Sequence, residues 1–199
     1  MRILVIGATG TIGRAVVKSL GMRHEVIGAS RQRAERRFDL AEPDSIRALF
    51  RDVGPVDAVV SAAGAAKFAP LAELSDADVQ FSLANKLMGQ VNLVRYGAEH
   101  VNDGGSFTLT SGVLSHSPMP GSAAISLVNA GLEGFARAAA LELPRGIRVN
   151  VVSPPWVTET LIAYKMDPAP GRSARDVAEL YEQSVEGYET GQVIEFPST

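Results

Sequence analysis

The chain contains no cysteine, which excludes disulfides and thiolate-bound metals. Its three histidines, His24, His100 and His116, are scattered rather than spaced as a ligand set, so metal chemistry has little to stand on. No apolar run approaches the ~20 residues that cross a bilayer. The first apolar run starts at Ile3, leaving no room for a signal peptide ahead of it. A net charge of −3 gives no electrostatic case for a nucleic-acid partner. Internal repeats and low-complexity linkers are also missing. These absences point to a cytoplasmic protein with neither a membrane nor a nucleic acid as partner.

What is present is enough for one sizeable core: 199 residues, 46% of them hydrophobic. Apolar runs that read as buried strands fall at 3–6, 24–29, 57–60, 106–110 and 147–152, with a weaker one at 192–196. Amphipathic stretches that read as helices lie between and after them, at 12–20, 43–52, 76–99, 121–143 and 173–187. Pro43 suits a first helical turn, and Asp103-Gly-Gly reads as the loop before the fourth strand. Strict alternation implies right-handed crossovers, so the expected fold class is α/β: one Rossmann-type domain over 1–199, a doubly wound parallel sheet with helices on both faces.

The amino end is the most specific segment. Ile3-Leu-Val-Ile6 runs straight into Gly7-Ala-Thr9-Gly10-Thr11-Ile12-Gly13 and then into a helix pattern. Gly7 permits the tight turn, Gly10 lets a pyrophosphate approach the main chain, and Gly13 lets the helix pack close to the strand. Thr9, Thr11 and Ile12 fall in the same cradle, where the helix's unpaired N–H groups face an anion. After the second strand, Ser30-Arg31 stands where an acid would hold the ribose hydroxyls of NAD and an arginine would take a 2′-phosphate. Arg31 therefore favours NADP(H) over NAD(H). Arg33, Arg36 and Arg37 read as a solvated basic loop. Asp39 either meets the adenine edge, with Leu40 beside it, or caps the turn before Pro43.

Several segments in register make the chain resemble the short-chain dehydrogenase/reductase family along nearly its whole length. Ser61-Ala62-Ala63-Gly64 is similar to that family's Asn-Asn-Ala-Gly segment, which implies that Ala62, Ala63 and Gly64 shield the adenine ribose. Asn85 matches its helix asparagine, Gly105-Ser-Phe-Thr-Leu-Thr-Ser111 its fourth strand, Ala130-Gly-Leu-Glu-Gly-Phe its active-site helix, and Arg148-Val-Asn-Val-Val-Ser-Pro154 its fifth strand. The resemblance implies a nicotinamide-dependent oxidoreductase in which a Tyr-x-x-x-Lys pair handles the proton and a serine orients the substrate oxygen.

In that register Ile125 stands at the tyrosine, Asn129 at the lysine and Gly112 at the serine. Ile125 has no proton to give, whereas Asn129 can still hydrogen-bond a ribose hydroxyl. Loss of a positioned general acid costs about 10²- to 10⁴-fold, which is tolerable for substrates that accept hydride readily. Asn85 and Ser111 remain as candidate catalytic residues. Lys86 would replace the missing cation if it escaped the usual solvated state of a helix lysine. Ser115 and His116 read as loop residues, and Ser126 as turned away from the site. Pro155 removes an N–H that the family's glycine would supply, leaving Pro154 and Val157 as carboxamide contacts, Thr158 and Thr160 near the phosphates, Trp156 as a wall and Tyr164 as rim. The Ala/Gly-rich stretch 121–143 suits a homodimer or homotetramer. Two functions fit: an NADP(H)-dependent oxidoreductase with a non-standard site acting on an unidentified, easily reduced small molecule, or an NADP(H)-binding protein without catalysis.

Overall fold

The computed structural model describes residues 1–32 and 36–197. Strand β1 (Arg2–Ile6) is buried from Ile3 onward, and its side chains alternate between two cores. Leu4 and Ile6 join one with Phe50 and Phe107, while Ile3 and Val5 join the other with Val16 and Tyr181. An apolar run without polar alternation is what a strand covered on both faces requires.

The remaining strands are β2 (Glu25–Ser30), β3 (Arg36–Arg37), β4 (Val56–Ser61), β5 (Val101–Thr110), β6 (Arg148–Val152) and β7 (Val193–Ile194). They form one sheet in the order β3-β2-β1-β4-β5-β6-β7, and every pairing is parallel. The order turns about between β1 and β4, which opens a crevice at the carboxyl ends of the strands.

Helices α1 (Thr11–Leu20) and α7 (Ala174–Glu186) cover one face. On the other lie α2 (Pro43–Val53), α4 (Gly89–Gly97) and α5 (Ala123–Ala139). The short α3 (Asp76–Ser82) opens with a capping box between Ser75 and Asp78, and α6 (Thr158–Ala163) follows β6. Arg148 holds the far end of α7, donating to Ser184 O and Val185 O at 3.0 Å each.

Four local expectations change. Asp103-Gly-Gly lies inside β5: the strand pairs with Val56 at Val101 and with Ala58 again at Ser106, and Gly104 takes φ +72° in the bulge between. The turn signal is real, but the chain re-enters the same strand. The stretch 76–99 is not one helix, because a π-turn over Leu83–Met88 separates α3 from α4. β3 and α6, of two and six residues, are too short to leave a periodic pattern. The last strand keeps only Val193–Ile194 of 192–196.

Behind the carboxyl end of β5, three elements meet through hydroxyls. Thr110 Oγ1 donates to Ser61 O of β4 and lies 2.7 Å from the phenol oxygen of Tyr181 on α7, which is fully buried. Burial pushes that phenol above its ordinary range, so it stays protonated. Thr110→Val leaves a buried hydroxyl unpaired and is expected to cost about 1–3 kcal/mol, whereas Tyr181→Phe removes the group itself and costs about 1 kcal/mol. Urea unfolding should rank Thr110→Val below Tyr181→Phe; the opposite order would mean that the Thr110 hydroxyl is not the hub of this chain.

Candidate functional site

At the turn from β1 to α1, a Cβ on Gly13 would stand 1.9 Å from Gly7 O, so only glycine lets the helix come this close. Gly10 is the helix N-cap and provides no side-chain cap, and a Cβ there would meet nothing nearer than Gly7 O at 3.3 Å. Among the described residues no side chain caps the first turn of α1 around Thr11 and Ile12, which leaves an open, electropositive cradle. Thr9 Oγ1 sits 3.1 Å from Ser30 Oγ, tying the cradle to the end of β2.

On one side of the cradle is a hollow of about 240 Å³, lined by Gly7, Ser30, Arg31, Asp39, Leu40, Ala63, Gly64 and Asn85. Arg31 is largely exposed, and its Nε lies 3.5 Å from Asp39 Oδ2. Asp39 Oδ1 accepts from the Ala41 N–H at 3.0 Å, so this residue both caps its turn and faces the hollow. The two readings offered by the sequence are therefore compatible. Arg36 turns to Asp52 at 2.9 Å. Arg33 lies outside the described residues.

On the other side is a cleft of about 270 Å³ at the carboxyl ends of the central strands. Ile12, Ala62, Ala63, Gly64, Ile125, Pro154, Trp156 and Val157 give it mainly apolar walls, with Ser111, Gly112 and Asn129 at its inner end. Among the described residues no carboxylate lines it, and Lys86 is the one charged side chain in its lining. Lys86 springs from the π-turn, is half-buried, and lines the cleft. Its Nζ donates to Ser111 O at 2.9 Å, its single hydrogen bond among the described residues. Its stem lies on Gly64, where a Cβ would stand 2.9 Å from Lys86 Cγ. Desolvation lowers its pKa from the ordinary 10.5 to about 8.

Ser111 is buried and its hydroxyl bonds Glu133 Oε1 on α5 at 3.0 Å, so it offers the cleft its carbonyl edge rather than a free hydroxyl. Gly112 takes φ +149° and ψ 154°, a conformation essentially reserved for glycine. Asn129 donates from Nδ2 to Gly112 O at 3.1 Å, and its Oδ1 is buried without a partner among the described residues. Asn85 does not join this group: its amide donates to Phe81 O and it lines the hollow instead. Thr160 lines the cleft, while Thr158 packs against Gly171. His116 faces Glu195 at 3.9 Å in a separate hollow, Ser126 pairs with Ser122, and Tyr164 is exposed.

Lys86 is the residue that sequence reasoning undervalued. Counting helical period from Asn85 gives no reason for a lysine to face inward, because the π-turn that carries it leaves no compositional mark. The available signal was Gly64, whose missing Cβ leaves room for the Lys86 stem.

The model of the enoyl-(acyl carrier protein) reductase family matches residues 14–194. Hydroxynaphthalene reductase of Aspergillus fumigatus is 34% identical over 134 residues, covering 64% of this chain and 48% of that protein. The 3-oxoacyl-(acyl-carrier-protein) reductase of Mus musculus is 27% identical over 174 residues, covering 77% and 74%. The chain spans between 46% and 65% of the length of the first three curated relatives. Among solved structures, the protein lin1944 of Listeria innocua is 40% identical with a TM-score of 0.95, covering 99% of this chain and 100% of that one. A small-chain dehydrogenase crystallised with NADPH is 26% identical with a TM-score of 0.86, covering 98% and 96%.

Two outcomes follow from this geometry. Because Lys86 binds its proton less tightly in the fold, the unfolded chain holds more protons between pH 8 and 10.5, and stability rises with pH across that window. Lys86→Met should therefore be more stable than the parent at pH 7 by on the order of 2 kcal/mol, with the gap closing toward pH 10.5 in urea titrations. A gap that ignores pH would mean the ammonium is solvated. Gly112→Ser, which restores the family's serine, should cost about 1–3 kcal/mol through backbone strain; an unchanged urea midpoint would contradict the backbone geometry at that residue.

Proposed function

This chain belongs to the short-chain dehydrogenase/reductase family, and on that premise we propose that it is an NADP(H)-dependent oxidoreductase that works without the family's tyrosine and lysine. The observation that carries this reading is continuity. The hollow beside Arg31 and the cleft beside Lys86 share Ala63 and Gly64 and flank the glycine cradle, an arrangement suited to a dinucleotide with a base at each end. The residues present fit such a group, since a Cβ at position 13 would fill the turn and the first turn of α1 is uncapped.

In this reading Arg31, Asp39, Leu40 and Ser30 hold the adenosine end, with the Arg31 fork taking the 2′-phosphate. The N–H groups of the first turn of α1 hold the pyrophosphate. Asn129 Oδ1, lacking a partner, suits a ribose hydroxyl, and Pro154 and Val157 border the nicotinamide end. When bound, the reduced nicotinamide supplies a hydride. The chain's own contribution is to hold a small, uncharged substrate among Ile125, Trp156 and Val157 and to keep water from it. A cleft of about 270 Å³ sits at the lower end of small-molecule pockets, which favours compact acceptors such as quinones, enals and diketones. Ile125 at the usual proton-handling place favours a second reading, in which the chain binds NADP(H) without turnover. The half-exposed Leu127 on α5 suits self-association into a homodimer.

Calorimetric titration with NADPH and NADH, paired with turnover assays on those three acceptor classes, separates the readings. NADPH should bind more tightly, and Arg31→Ala should weaken NADPH by about 10- to 100-fold while leaving NADH nearly unchanged. Equal affinities in both proteins would remove the case for NADP(H). Tight NADPH binding with no turnover on any acceptor would leave the non-catalytic reading standing.

A further inference from the structure

We propose that Lys86 is the proton donor of the cleft, delivering its proton to the carbonyl oxygen of the substrate from the π-turn between α3 and α4 rather than from α5. This inference rests on the oxidoreductase reading above and assigns its missing acid.

The geometry favours Lys86 by elimination as well as by position. A reduced carbonyl oxygen needs a proton from a group that lines the cleft and is a strong enough acid to part with it. Ile125 carries none. The Ser111 hydroxyl is committed to Glu133, and Thr110 to Ser61 and Tyr181. Asn129, Thr160 and Trp156 carry N–H or O–H groups that are far weaker acids than an ammonium. Lys86 spends one of its three N–H donors on Ser111 O, and the other two are without partners among the described residues. The π-turn makes the placement possible. It widens the helix by one residue locally, a distortion that recurs at functional sites, and its next neighbour Asn85 is left facing the other hollow.

The chemistry balances. As the substrate carbon gains a C–H bond from the hydride of a reduced nicotinamide dinucleotide, the C=O π pair moves onto oxygen. That oxygen forms an O–H bond with a proton from Nζ, and the N–H pair stays on nitrogen. The two electrons would come from the reduced nicotinamide, which would thereby be oxidised, and once the product has left the neutral amine regains a proton from water at the cleft mouth.

Desolvation puts this amine near a pKa of 8, so it is charged at neutral pH yet gives up its proton far more readily than an exposed lysine. The titratable group that comes nearest from α5 is Glu133, held by Ser111 Oγ and facing Arg137 at 3.8 Å. Arg31 and Asp39 face the neighbouring hollow, and the other elements packed around the cleft add no ionisable side chain to its lining. Reductase activity should accordingly fall as pH rises through about 8.

The test uses 4-nitrophenol, a flat probe whose visible absorbance reports its ionisation, titrated into the full chain with and without NADP+. A proton-donating ammonium stabilises the phenolate, so the parent should bind the probe as phenolate at a pH where the free probe is mainly neutral. Lys86→Met should lose that band. Lys86→Arg should keep it, because the charge persists, yet lose about 10²- to 10⁴-fold in kcat, because guanidinium does not release a proton. Circular dichroism verifies that both variants are folded. An unchanged phenolate band in Lys86→Met, no phenolate in the parent, or full activity in Lys86→Arg overturns the assignment. Failure to bind NADPH would instead strike the cofactor reading, since the probe assay without cofactor stands apart from it.

Discussion

A carbonyl oxygen that no side chain is allowed to touch organises this molecule. Gly7 O faces the place where residue 13 would carry a Cβ, and because it carries none, α1 begins directly against the end of β1. From that contact comes the uncapped first turn, its aim across the strand ends, and the meeting of hollow and cleft on the two sides of one loop. The parallel sheet supplies the rest: reversal of strand order between β1 and β4 leaves a crevice at this turn and at no other point of the central sheet.

The cleft places one amine in surroundings that favour neutrality. The desolvation felt by Lys86 is a standing cost to the fold, set against a total stability of only about 5–15 kcal/mol for a domain of ordinary size. Such a cost persists where a site needs it, and the neighbouring residues are arranged to keep it in place. Gly64 gives its stem room, Ser111 O fixes its head, and Glu133 holds Ser111. At position 112, where the family carries a serine, the backbone conformation strains any residue but glycine, and this glycine lies in the same corner of the cleft as Lys86.

Much of this was legible in the residues. The unbroken apolar run 3–6 gave a strand covered on both faces, and the glycine spacing gave the turn. Asp39 was legible as the cap of its turn, which uses one carboxylate oxygen while the other faces Arg31. What stayed hidden has a common cause. The bulge in β5, the π-turn and the two-residue β3 are set by tertiary contacts across the sheet and not by local propensity. A period counted along one helix cannot reveal that Asn85 and Lys86 part company into two cavities, since the count assumes a regular helix.

The hydroxyl chain behind the cleft bears on time as well as on strength. Thr110 forms part of the cleft lining, and its hydroxyl is fixed from Tyr181, although among the described residues none beyond Thr160 lines the cleft itself. While a ribosome is still releasing the chain, the cradle at residues 7–13 emerges first and the support for the cleft floor emerges more than 160 residues later. The cleft floor is therefore complete only after α7 has folded back onto the sheet, and the binding energy of any ligand of the cleft goes to guarding the finished fold rather than to guiding its assembly.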